Sequence, residues 1–61
     1  MNASLREAAI ALAARPTDRR EMMALLSALE DQSPTVWTLT MSGMSLVSPL
    51  VSEYLQTLRR Q

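Results

Sequence analysis

Few residues in this chain could carry chemistry. There is no His, no Cys and no Lys, so a nucleophile–base pair of the usual kind cannot be assembled. A zinc site lacks its preferred donors for the same reason. Glu30-Asp31 is the one adjacent pair of carboxylates, and no other acid lies at a spacing that would complete a magnesium or catalytic site. The single Gly excludes a glycine-rich phosphate loop. Arg15, Arg19 and Arg20 could touch phosphate, but Asp18 and Glu21 interleave with them and no aromatic stands nearby for base stacking. Arg59-Arg60 suits the C-terminal turn of a helix. Trp37 and Tyr54, the only aromatics, read as core or subunit-interface anchors. The expectation is a protein with no enzymatic activity, no cofactor, no metal and no small-molecule substrate.

Length and charge narrow the partners. A chain of 61 residues makes one small domain, spanning residues 1–61, near the size where a fold needs a staple. With disulfides and zinc excluded, a partner chain is the remaining staple, most simply further copies of the same chain. A homo-oligomer, or a complex with another small protein, is therefore expected. Six Arg balance six acids, so nothing draws the chain generally toward nucleic acid or acidic lipid. Gln32 to Ser52 carries no charge, but Ser and Thr are frequent in it and Pro49 interrupts it, so no membrane span is expected. Arg6 and Glu7 fall within the first apolar stretch, which does not fit a cleavable signal peptide.

The elements follow from caps and spacing. Ser4 to Glu7 fits a capping box, and Leu5, Ala8, Ala9 and Leu12 recur on one helical face. Arg15-Pro16 ends that helix, which spans about 4–14, because the residue before proline is pushed out of the α region. Asp18 caps a second helix, about 18–32, whose apolar stripe is Met22, Leu25, Leu26 and Leu29. Its charges oppose the helix dipole: Arg19 and Arg20 stand at its start, Glu30 and Asp31 at its end. Ser33-Pro34 begins a third helix, and Trp37, Met41, Met44, Val47, Val51, Tyr54 and Leu58 make a near-heptad seam over 34–60. That helix should be kinked or broken near Gly43 and Pro49. The fold expected is mainly α, a short helical hairpin followed by this interrupted helix. Met22, Met23, Met41 and Met44 on the apolar faces suit an adaptable packing surface. An α+β alternative also fits: residues 35–48 alternate with period two about Ser42-Gly43, which could make a β-hairpin.

Two family resemblances attach to these two readings. Glu7-Ala8 and then Leu12-Ala-Ala-Arg-Pro-Thr-Asp18 is similar to the first helix and turn of type III secretion needle subunits. Thr57-Leu58-Arg59-Arg60 resembles the tail of the inner-rod subunits of the same bacterial apparatus. The resemblance covers about residues 7–61. It implies a self-assembling helical hairpin used in protein transport, exported without a cleavable signal peptide. It also implies that Leu12, Pro16, Thr17 and Asp18 set the turn. The apolar stripe of the second helix and the C-terminal seam would supply subunit contacts. Leu39-Thr-Met-Ser-Gly43, with Glu30-Asp31 before it and Glu53-Tyr54 after it, resembles prevent-host-death antitoxins. That second resemblance implies a cytoplasmic, DNA-binding homodimer. A helical adaptor or chaperone-like dimer is the third possibility. Far-UV circular dichroism separates them: the helical reading predicts helicity above about two-thirds of residues, which the 35–48 hairpin could not reach.

Overall fold

The computed structural model describes the backbone of residues 2–61 and side chains from Ser4 onward. Four helices follow one another: α1 (Asn2–Ala13), α2 (Arg19–Glu30), α3 (Pro34–Val47) and α4 (Pro49–Arg60). The bundle measures 25 × 24 × 15 Å. No strand occurs among the described residues, and 35–48 is helix from end to end save its last residue, so the β-hairpin alternative does not form. Thr and Ser in that stretch favour a strand only weakly, and two strands alone bury too little to hold.

The starts of α2, α3 and α4 have local causes. Asp18 accepts a hydrogen bond from the Glu21 N–H at 2.9 Å. Ser33 Oγ accepts from Val36 N–H at 3.3 Å, and Pro34 fills the first position, where no backbone donor is needed. The expected start of α1 is displaced: the helix already includes Asn2, so Ser4 and Glu7 lie inside its first turns and not at its cap. Between α1 and α2, Arg15 Nη2 pairs with Glu21, while Arg15 Nη1 donates to Pro16 O at 3.2 Å. The Arg15 hydrogen bond holds the Glu21 carboxyl below its ordinary range, and partial burial opposes it. A carboxylate depressed on folding contributes stability above its unfolded pKa and loses it as pH falls through the folded value. Both groups face solvent, so the pair is modest and screened by salt.

Ser48 decides the second half of the molecule. Its N–H donates to Met44 O at 2.8 Å, closing α3, and its Oγ accepts from Val51 N–H at 3.3 Å, opening α4. Its backbone is extended (φ −152°, ψ 99°), as a residue before proline prefers. One residue thus joins two helices. Contacts between Ser45 and Ser52, Met41 and Ser52, and Trp37 and Arg59 show that α4 runs back along α3. The helical hairpin of the fold is therefore α3–α4, turning at Ser48. α1 lies chiefly against α3 and α2 against α4, with α1 and α2 touching only slightly.

The expected break near Gly43 is absent, and α3 continues through it. Gly43 serves as a contact: a Cβ there would sit 2.8 Å from Ile10 Cδ1 and 3.1 Å from Ile10 Cγ1 on α1. A helix-interior Gly costs about 1 kcal/mol against Ala, and here it lets Ile10 seat on the α3 backbone. The core joins Ala9 and Ala13 of α1, Met22, Leu25, Leu26 and Leu29 of α2, Met41 and Met44 of α3, and Leu55 and Leu58 of α4.

Of the seam expected over 34–60, Met41, Met44 and Leu58 are buried and Trp37 and Val51 pack on the core, while Val47 and Tyr54 do not. Val47, in the last turn of α3, is 44% exposed; beyond the extended Ser48 the inward face of α4 is Ser52, Leu55 and Leu58, which leaves Tyr54 40% exposed. Leu55→Ala should therefore cost about 2–5 kcal/mol in chemical denaturation. Tyr54→Ala, one residue away, should cost less than about 1 kcal/mol.

Candidate functional site

The described residues hold no grouping of acidic side chains that could bind a metal. Glu30 and Asp31 are exposed at the end of α2, away from any other carboxylate at ligating distance. Among the described residues the buried polar side chains are two neutral ones, Thr40 and Ser52, and the hydroxyl oxygen of the half-buried Thr17 is also enclosed. Ser52 Oγ accepts from Ser45 Oγ at 2.8 Å and from Gln56 Nε2 at 3.2 Å, and touches Met41 Sδ at 4.0 Å. This small network ties α3 to α4. Thr40 Oγ1 has no hydrogen-bond partner. The partners of the Ser52 hydroxyl are Ser45, Gln56 and Met41, none of them a base.

The surface is more informative than the interior. Of the residues expected to meet a second subunit, Met22, Leu25, Leu26, Leu29, Met41, Met44 and Leu58 are buried in the chain's own core. Trp37 and Val51 are partly buried against that core. Val47 and Tyr54 remain open to solvent. Of the turn residues, Leu12 packs on the core from the end of α1, Asp18 caps α2, Thr17 is half-buried and Pro16 is exposed.

Two poles stand out. At the α3–α4 corner, Leu46 is 89% and Leu50 80% exposed, with Val47 between them and Pro49 also on the surface. Sequence reasoning missed these two leucines because the seam was counted through the corner. A signal was present: Leu46 and Leu50 belong to no inward stripe and flank the Ser48-Pro49 interruption. At the opposite end of the hairpin, Trp37, Gln56, Arg59 and Arg60 line an open groove of about 330 Å³. The Arg59 guanidinium lies 4.1 Å from the centre of the Trp37 ring, a cation–π contact.

No helix among the described residues is long and apolar enough to cross a membrane. Comparison with known proteins returned no match: no family model fits the chain, and neither a curated protein nor a solved structure is significantly similar to it.

The unpartnered Thr40 hydroxyl gives a direct test of the interior. Thr40→Val keeps the shape and removes the buried polar atom, and should raise stability by about 1 kcal/mol in urea unfolding.

Proposed function

We propose that the chain is a non-enzymatic, self-associating helical subunit whose contact surface is the α3–α4 corner. The observation that carries this reading is the exposure of Leu46 and Leu50 beside Val47, in a stretch without charge. Single apolar residues on a surface are ordinary, but neighbouring ones that no core can use mark an association surface. Two leucines covered by a second copy would each gain about 1.5–3 kcal/mol of transfer free energy, a large increment for a domain this small. Val47, with Tyr54 farther along α4, extends the surface and retains part of the expected subunit contact.

The resemblance to secretion needle and inner-rod subunits gives this reading its specific form, an open-ended helical assembly serving protein transport. The exposed corner supports the self-association reading, and the conduit form rests on the resemblance alone. A small helical partner seated on the same corner is the second form.

Sedimentation across a concentration series tests the reading. The expected result is a mass that rises with concentration and, at roughly 500 mM salt where charge contacts are screened, falls back toward the monomer in a Leu46→Glu, Leu50→Glu double variant. Mass growing without limit supports the conduit form, and mass stopping at a dimer supports a discrete subunit. A monomer at every concentration would overturn self-association.

A further inference from the structure

The opposite pole carries unpaired charge of both signs. Glu30 ends α2 and Asp31 is its C-terminal cap, so both carboxylates sit at the negative end of that helix dipole. Neither has a cationic partner: the only ion pair among the described residues is Arg15–Glu21. Arg59 and Arg60, in the last turn of α4, are likewise exposed and unpaired by any carboxylate. The two groups share one end of the molecule. Asp31 is three residues before Pro34, hence within about 11 Å of the start of α3. Trp37, in the first turns of α3, lies beneath Arg59. With its central carbon over the ring, the Arg59 guanidinium has no carboxylate partner and keeps N–H donors for one.

Two unpaired acids and two unpaired guanidinium groups on one surface make that surface its own complement. We infer that this pole docks on the same pole of a second copy about a two-fold axis, Arg59 and Arg60 of each protomer meeting Glu30 and Asp31 of the other. A two-fold contact presents the same patch from both partners, so every such charge pair is made twice. The groove along Trp37 and Gln56 gives the incoming carboxylates a concave seat. A free polyanion suits the site poorly, since Glu30 and Asp31 would repel it. This inference rests on the reading of the chain as self-associating, and adds a contact driven by charge to one driven by apolar burial.

Sedimentation equilibrium of the full chain carrying Leu46→Glu and Leu50→Glu isolates the charged pole. The expected result is dimerisation that weakens at least about tenfold between roughly 50 mM and 500 mM salt. Arg59→Glu with Arg60→Glu should abolish it. An equimolar mixture of that variant with one carrying Glu30→Arg and Asp31→Arg should restore it as a heterodimer, because the charges are then exchanged across the interface. A monomer at low salt, an association indifferent to salt, or a mixture that does not re-associate would each overturn the inference. None of those outcomes touches the corner, whose own test is the loss of association caused by the leucine substitutions at high salt. Duplex DNA binding by the Arg59–Arg60 pole at low salt, with the protein still monomeric, would also overturn it.

Discussion

The fold turns on the steric constraint at Ser48-Pro49. Proline has no N–H to continue the helix, and its ring keeps the preceding residue out of the α region. Ser48 answers by serving both helices, donating to the last turn of α3 and capping the first turn of α4. With a single connecting residue, α4 folds back along α3. Three consequences follow from that one corner. Met41 and Ser45 meet Ser52, Arg59 reaches Trp37 at the far end, and Leu46 and Leu50 are left outside because the corner is too tight to cover them.

The other two helices close this hairpin from either side. α1 is rich in Ala, and Ala9 and Ala13 are buried with almost no side chain to separate backbones. Gly43 continues that pattern across the contact by admitting Ile10. α2 contributes the bulk, with one Met and three Leu on a single stripe. A core drawn from so few large side chains yields little surplus over conformational entropy, on the order of 3–5 kcal/mol at most for a domain of this size. Contacts with a second copy, as proposed at the two poles, would raise that margin.

The helical class, the stripe of α2 and the caps at Asp18 and Ser33 were legible in the sequence because each depends on residues within one turn. Pro49 was legible as the place where the third helix would kink or break. What could not be read was the phase beyond it. A spacing of three and four residues predicts one face only while the backbone stays helical, and beyond the extended Ser48 it is Leu55 that turns inward and Tyr54 outward. Gly43 was read as a weakness because its backbone preferences are local, whereas its value lies in a contact with Ile10, 33 positions earlier. The pairing of Trp37 with Arg59 was hidden for the same reason: only the reversal at Ser48 brings them together.

The distribution of methionine gives the fold an oxidative character of its own. Met22 and Met44 are fully enclosed and Met41 nearly so, while Met23, the next residue after Met22, is 38% exposed. A thioether converted to a sulfoxide becomes polar and no longer suits an apolar interior. Peroxide would therefore mark Met23 in the closed bundle and reach the other three only while the helices stand apart. The same three sulfurs that fill the centre make each such excursion hazardous, since an oxidised Met22 or Met44 could not return to its place. In an oxidising setting the lifetime of the folded chain would be set by how often it opens.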